Sequence, residues 1–169
     1  VYSAGVEPRI AACISSGGWG DGAKKFRRQH ASPEAWKAFV DMMEEGRRRK
    51  ARGETMMVPR FSIVPIPPHL RTGLSSGAVM EFPFDVVESM YTFRANDVVD
   101  RIAPRPLLLL HSSKDSVTPT EQSIDLFQAA GQPTDLHLIA GIDHFGFDGE
   151  EGMLSGILLA WLAKHFPAK

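Results

Sequence analysis

An aspartate and a histidine follow two successive apolar runs in the last third of the sequence. The run at 106–111 leads into "SSKDSVTP", which contains Asp115, and the run at 136–140 leads into "GIDHF", which contains His144. A carboxylate that accepts a hydrogen bond from one imidazole nitrogen fixes the ring tautomer, and it stabilises the imidazolium that forms when the other nitrogen takes a proton. The two residues therefore predict an activated general base that would serve a nucleophile.

The elements around these residues predict a parallel sheet that brings both loops to one edge. Helical patterns at about 118–130 and 153–166 follow the two strands, with Thr118 as the expected N-cap of the first helix and Pro119 in its first turn. Short apolar strands that alternate with helices are typical of a parallel sheet with helices on its faces. Functional groups gather at the carboxyl ends of such strands, and consecutive strands joined by a crossover are usually neighbours.

Each of the two residues also has a purely structural interpretation. Asp115 could cap a turn in its loop, because Asp and Ser favour such turns. His144 could be a structural histidine that is hydrogen-bonded beside Asp143. Both interpretations stay open for each residue alone, but their matching positions after adjacent strands favour the catalytic one.

A third apolar strand, at 10–15, is separated from the other two by a long insertion at 21–97. The insertion contains a helix that starts at Pro33 after the N-cap Ser32, and a proline-rich stretch at 56–83 that we expect to be extended or irregular. Insertions at the carboxyl ends of strands often form lids and substrate pockets. We therefore expect a lid here, with Trp19, Trp36 and Met57 as candidate substrate-binding residues, although such side chains often belong simply to the core.

Composition limits the possible partners and the compartment. The 169 residues are 43% apolar and carry a net charge of −1, so no global field attracts nucleic acid or an anionic membrane. The only cysteine, Cys13, cannot form an internal disulfide and lies in an apolar run, where a free thiol behaves as a small hydrophobe. We therefore expect a cytoplasmic protein. No segment approaches the roughly 20 apolar residues of a membrane helix.

Metal and nucleotide chemistry have little support. The six histidines are scattered without a metal-ligand spacing, and we expect most of them, His111 included, to be surface or packing residues. No glycine-rich phosphate-binding motif is present, so no cofactor is expected. The basic run at 47–50 lies at a helix end, where cations are favoured by the helix dipole.

The two loops resemble those of a known superfamily. "RIAPRPLLLLHSSKDSVTP" followed by "LHLIAGIDHFGF" is similar to the acid and histidine loops of α/β-hydrolases, in particular the dienelactone-hydrolase and prolyl-oligopeptidase-like esterase group. "SAGVEPRIAACISSGG" resembles the helix end and strand that follow the nucleophile of that family. The resemblance covers nearly the whole chain, but it implies only the C-terminal half of an α/β-hydrolase fold, with Asp115 and His144 as two triad members.

The resemblance implies that the family's G-x-S-x-G nucleophile turn lies just upstream of Val1. "GLSSG", with Ser75 at its centre, satisfies the motif, but it lacks the preceding strand and following helix that the motif needs. We therefore expect a cofactor-free hydrolase of esters or related acyl bonds, whose serine comes from a separate chain or a removed N-terminal segment. The alternative is a non-catalytic binding or scaffold domain that keeps the sheet without the chemistry.

Overall fold

The computed structural model describes residues 1–145 and 151–167. The chain forms two compact units, unit 1 (Val1–Gly20 with Ala95–Lys169) and unit 2 (Asp21–Arg94). In chain order the helices and strands are α1 (Tyr2–Val6), β1 (Cys13–Ser16), α2 (Gly22–Gln29), α3 (Pro33–Ala51), β2 (Met57–Pro59), α4 (Arg60–Ile63), β3 (Glu81–Pro83), α5 (Phe84–Thr92), β4 (Leu107–Ser112), α6 (Glu121–Ala129), β5 (Thr134–Ile139) and α7 (Glu151–His165). Pro68–Gly73 and Val99–Ile102 are 3-10 helices.

Unit 1 is built on a three-stranded parallel sheet in the order β1-β4-β5. All six residues of β4 are buried, because this strand lies between the other two. Ser16 pairs with Leu110 and Ser112 pairs with Ile139, so the three strands end at the same edge. The predicted α/β class with parallel strands and flanking helices is confirmed.

Two predicted boundaries in unit 1 are wrong, each for a local reason. The first strand begins at Cys13 and not at Ile10, because the Ile10 N–H donates to the Glu7 carbonyl in a turn. Helix α6 begins after Thr120 and not after Thr118. The N–H of Thr118 is already used by the Asp115 carboxylate, so this residue belongs to the acid loop.

Helix α7 covers one face of the sheet of unit 1. Trp161 is 4% exposed and packs with Leu108 and Leu110 of β4. Ile157 and Leu158 are partly buried against the same cluster. Leu162 of the same helix is 40% exposed.

Unit 2 is mostly helical around an aromatic and aliphatic core. Helix α3 starts as predicted, since the Ser32 hydroxyl oxygen accepts from the Ala35 N–H at 3.1 Å. A Cβ at Gly46 would lie 2.1 Å from a ring carbon of Phe84, so only glycine permits this close approach. The buried apolar side chains of the unit include Phe26, Phe39, Met43, Val58, Ile63, Phe84 and Val87.

The stretch at 56–83 is more ordered than its proline content predicts. Strands β2 and β3 form a two-stranded antiparallel sheet in which Met57 pairs with Pro83. The Phe84 N–H also donates to the Met56 carbonyl at 2.8 Å. The first turns of α5 are therefore held to the start of this sheet.

The two ends of unit 2 are held together. The Gly22 N–H donates to the Phe93 carbonyl at 2.9 Å, and the Arg94 guanidinium lies 3.4 Å from the Asp21 carboxylate. We call these four residues the stem of unit 2. The unit ends at Arg94, close to the end of the insertion expected at 21–97. No helix in the described part of the chain is both long and apolar enough to cross a membrane.

Candidate active site

The acid loop begins where β4 ends and is organised by Asp115. The Asp115 side chain is fully buried. Its Oδ1 accepts hydrogen bonds from the N–H groups of Val117 at 2.8 Å and Thr118 at 2.6 Å. Its Oδ2 lies 2.8 Å from Nδ1 of His144. Asp115 therefore caps its turn with one oxygen and binds the imidazole of His144 with the other.

The environment of Asp115 keeps its carboxyl group ionised. Burial by itself would raise the pKa of this carboxyl. The imidazoles of His111 and His144 and the Thr118 N–H outweigh burial, so that the pKa lies well below its ordinary value of 3.8. A carboxylate in this state only accepts hydrogen bonds, and His144 must therefore carry its proton on Nδ1.

His144 lies five residues beyond the end of β5 and is partly open to solvent. Its side chain is 22% exposed, and its ring meets the edge of the Phe145 ring at a centroid distance of 4.8 Å. With the proton on Nδ1, Nε2 presents a lone pair that can accept a proton. A Cβ placed on Gly17, just after β1, would lie 3.8 Å from Cε1 of His144, so the loop after β1 approaches the His144 ring.

Asp143 ties the histidine loop to the acid loop. Its Oδ1 accepts from the N–H groups of Ser116 at 2.8 Å and His144 at 2.7 Å, and its Oδ2 accepts from the Ser116 hydroxyl at 2.7 Å. The Ser112 hydroxyl makes a further link by donating to the Ile142 carbonyl at 2.6 Å. Burial would raise the pKa of Asp143, but the hydrogen bonds from Ser116 and His144 lower it. We call the contacts of Asp143 with Ser116 and His144 the loop clamp.

The structure brings Asp115 and His144 together, whereas the three candidate substrate-binding residues are divided between the units. Trp19 is half-buried in the loop after β1 of unit 1. Trp36 lies on α3 of unit 2, where its ring stacks on Phe39 at 5.7 Å. Met57 lies on β2 of unit 2 and is 49% exposed. Their role in binding substrate stays a prediction.

Ser75 does not lie in the strand-turn-helix context of a nucleophile turn. The residue is exposed, and it follows the 3-10 helix Pro68–Gly73 in a turn closed by a hydrogen bond from the Ala78 N–H to its carbonyl. The next element along the chain is strand β3. The local structure is that of a loop within unit 2, as the sequence context predicts.

Two contributors to the site are not apparent from the sequence. His111, expected to be a surface or packing residue, is fully buried with Nε2 3.2 Å from Asp115 Oδ2. Asp143 was considered only as a neighbour of His144, yet it forms the loop clamp. For His111 a weak signal exists, since it precedes Asp115 by four residues at the end of a buried strand. No group of three or more His, Cys, Asp or Glu side chains in the described residues could hold a metal ion.

The topology and the position of the two loops define a class of fold. A parallel sheet with flanking helices, whose acid and histidine loops follow successive strands at one edge, is an arrangement of α/β-hydrolases. Comparisons with protein-family profiles and with curated proteins gave no match. Comparison with solved structures did, and it shows that the chain has part of an α/β-hydrolase fold.

Three of these structures indicate how much of the fold is present. The α/β hydrolase GrgF from Penicillium sp. sh18 has a TM-score of 0.69 at 21% identity, and 98% of this chain covers 59% of that one. The monoacylglycerol lipase from Paleococcus ferrophilus has a TM-score of 0.65 at 19% identity, and 96% of this chain covers 62% of that one. An esterase domain from a Rhodothermus marinus protein has a TM-score of 0.55 at 20% identity, and 96% of this chain covers 55% of that one. The chain thus spans little more than half the length of the structures that it resembles.

Proposed function

We propose that this chain is the C-terminal half of a hydrolase that cleaves a carboxylic ester or related acyl bond through a Ser-His-Asp triad. Asp115 is the acid and His144 is the base. The serine comes from an N-terminal segment of the same hydrolase, either as a separate chain or as residues upstream of Val1. The observation that carries the proposal is the 2.8 Å contact between His144 Nδ1 and Asp115 Oδ2 at the carboxyl edge of the sheet.

Each residue has a defined part in the reaction. His144 Nε2 takes the hydroxyl proton as the serine oxygen forms a bond with the acyl carbon, while ionised Asp115 stabilises the imidazolium. The ester C–O bond then breaks, and the alcohol leaves with the proton that His144 returns. In a second cycle, His144 takes a proton from a water molecule whose oxygen attacks the acyl carbon. The bond to the serine oxygen then breaks, His144 returns the proton to that oxygen, and the carboxylic acid leaves. No metal or cofactor takes part in the proposed reaction.

The sheet edge and the coverage both support an external serine. Among the described residues β1 pairs only with β4, and Ile14 of β1 is 44% exposed. A strand with an open edge exposes unpaired backbone N–H and C=O groups, and is therefore a template for pairing with further chain. The structures that resemble this chain continue well beyond the matched part, since the chain covers only 55% to 62% of the three described.

The proposal extends to substrate and compartment. The substrate is a small ester or acyl compound, for which Trp19, Trp36 and Met57 provide apolar contacts. Lactones, peptides and carbon–carbon bonds are other targets of the same triad chemistry. A single cysteine, which precludes an internal disulfide, is consistent with the cytoplasm as compartment.

Activity assays on the longest form that the gene encodes test the triad. That protein should hydrolyse p-nitrophenyl esters and react with a fluorophosphonate probe for active-site serines. His144→Ala should abolish hydrolysis, whereas His137→Ala, which removes an exposed histidine from β5 of the same unit, should retain it. Full activity of His144→Ala would exclude His144 as the base. Absence of hydrolysis and of probe labelling in every form would favour a non-catalytic binding domain.

A second measurement tests the requirement for an N-terminal half. Expressed alone, residues 1–169 should self-associate or remain insoluble, because the β1 edge is unpaired among the described residues. Co-expression with the upstream segment should give a soluble, stoichiometric complex. A folded monomer of the 169 residues, shown by light scattering after gel filtration, would overturn the two-piece proposal.

A further inference from the structure

A second histidine contacts the carboxylate of Asp115 from the interior of unit 1. His111 is the fifth residue of β4 and its side chain is 0% exposed. Its Nδ1 lies 2.6 Å from the hydroxyl oxygen of Ser123 on α6. Its Nε2 lies 3.0 Å from the Thr118 carbonyl oxygen and 3.2 Å from Asp115 Oδ2. Every polar atom of this buried ring therefore has a partner.

The chemistry of these partners determines where the ring proton lies. A carbonyl oxygen and an ionised carboxylate are acceptors only, so the nitrogen that faces Thr118 and Asp115 must be the donor. The Ser123 hydroxyl can donate, and it can therefore supply the hydrogen bond that Nδ1 accepts. His111 accordingly has its proton on Nε2, whereas His144 has its proton on Nδ1.

His111 acts on Asp115 by two routes. The direct route is the Nε2 contact with Oδ2, the same oxygen that accepts from His144 Nδ1 at 2.8 Å. The second route passes through the Thr118 residue, whose carbonyl accepts from His111 and whose N–H donates to Asp115 Oδ1 at 2.6 Å. Both carboxylate oxygens are thus held in place, one directly and the other through the backbone of the acid loop.

We propose that His111 is a positioning residue for the pair formed by Asp115 and His144. Its Nε2–H holds Asp115 Oδ2 where the Nδ1–H of His144 can donate to it. Its link to Ser123 anchors this arrangement to α6. The catalytic consequence depends on the proposed hydrolase function, whereas the arrangement of protons does not.

Two amide replacements separate positioning from simple packing. The side-chain amide of glutamine reaches the place of Nε2, so His111→Gln keeps a donor toward Thr118 and Asp115. The shorter asparagine reaches only the place of Nδ1, so His111→Asn keeps a polar group beside Ser123 but loses that donor. If His111 only filled space, the variants His111→Gln and His111→Asn would differ in stability but not in the position of the His144 proton or in kcat.

The first experiment reads the proton positions without any substitution in the site. The longest form that the gene encodes is labelled with 15N-histidine, and long-range 1H–15N spectra assign the ring tautomers, using single His→Gln variants of the other histidines for assignment. We expect a proton on Nε2 of His111 and on Nδ1 of His144. A His111 ring protonated only on Nδ1 would overturn the proposal, and this result does not depend on whether any His111 variant folds.

The second experiment follows the His144 Nδ1 proton in the two variants. Its low-field resonance should persist in His111→Gln and should shift or disappear by exchange in His111→Asn. With an ester substrate, kcat should fall about tenfold to a hundredfold in His111→Asn with KM unchanged, and no more than about threefold in His111→Gln. An unchanged resonance in folded His111→Asn would overturn the proposal. If the tautomers are as expected but the protein hydrolyses no ester, the proposed function is contradicted, whereas the assignment of His111 remains supported.

Discussion

The loops of unit 1 that carry Asp115 and His144 differ sharply from the loop of unit 2 that carries Ser75, although all three contain residue types that occur in Ser-His-Asp triads. Asp115 is fully buried and its two oxygens accept from two backbone N–H groups and from His144. Ser75 is exposed in a turn between a 3-10 helix and a short strand. Position at a strand end together with a hydrogen-bond network is therefore a better basis for proposing a catalytic role than a short motif.

The charged groups of the two units also differ in their exposure to solvent. Unit 2 carries ion pairs on its surface, such as those of Lys50 with Asp85 and Glu88, in which Lys50 is 53% exposed. In unit 1 the carboxylate of Asp115 is shielded from water and is held by His111 and His144. The exposed ion pairs of unit 2 contribute little to stability. The buried carboxylate of Asp115 remains ionised only because its hydrogen-bond partners stabilise it, so the loss of any one of them should be costly.

Replacement of the acid should have the largest effect. Asp115→Asn should lower kcat of the longest encoded form about a thousandfold to ten-thousandfold, because an amide cannot hold His144 in its Nδ1–H tautomer as a carboxylate does. Ser75→Ala is the matched control in unit 2 and should keep kcat within about twofold. Steady-state hydrolysis of a p-nitrophenyl ester measures both. A loss of activity in Ser75→Ala would reverse the contrast between the two loops.

Breaking the loop clamp should have the next largest effect. Asp143→Ala leaves the N–H groups of Ser116 and His144 without their acceptor, and should lower the free energy of unfolding by about 2 kcal/mol and kcat about tenfold. Asp143→Asn retains an acceptor oxygen and should lose roughly half as much free energy. Urea unfolding monitored by tryptophan fluorescence measures the stability. Equal stability of the alanine variant and the wild type would show that the clamp does not hold the loops.

Acid should remove the stabilisation by Asp115. The pKa of this carboxyl is lower in the folded chain than its ordinary value of 3.8, so the unfolded chain binds the proton first as the pH falls. The stabilisation from its ionised form is therefore complete above about pH 4 and declines progressively below it, as the pH falls toward the folded pKa. Urea unfolding of wild type and Asp115→Asn should show a stability difference that falls progressively as the pH drops below about 4. A difference that stays unchanged down to the lowest pH at which both chains fold would contradict this assignment.

The smallest effect should come from the surface of unit 2. Hydrogen bonds that Lys50 donates to Asp85 and Glu88 raise the pKa of Lys50 to about 12, yet Lys50 and Asp85 are exposed and Glu88 is partly exposed. Lys50→Ala should therefore leave the midpoint of urea unfolding unchanged within error, at low salt as well as at high salt. A loss of stability comparable to that of Asp143→Ala would show that unit 2 also contains a stabilising charge network.

The sequence predicts the sheet and the proximity of Asp115 and His144 well because both depend on local patterns. The apolar run before Asp115 and the run before His144 are continuous, and turn residues follow each of them, so the strand ends can be located within about two residues. Parallel pairing of successive strands then brings the two loops together. The chemistry of the pair follows from the residue types alone.

The remaining features depend on contacts that no local pattern contains. Helix α2 was not predicted, because lysines and arginines make up half of it and only its N-cap, Asp21, gives a signal. Strands β2 and β3 have three residues each and pair across more than twenty residues of chain. The role of His111 depends on how the acid loop turns back over β4, which the hydrogen bonds of Thr118 determine.

The stem of unit 2 has a consequence for how the sheet assembles. Cys13 pairs with Leu107, so β1 and β4 must meet across a chain segment on the order of ninety residues, a closure that carries an entropic cost. The contacts of Gly22 with Phe93 and of Asp21 with Arg94 close that segment at its own base. Once the stem has formed, β1 and β4 are joined by an effective loop of only about twenty residues. Unit 2 can then vary in length and sequence with little effect on the entropy of forming the sheet.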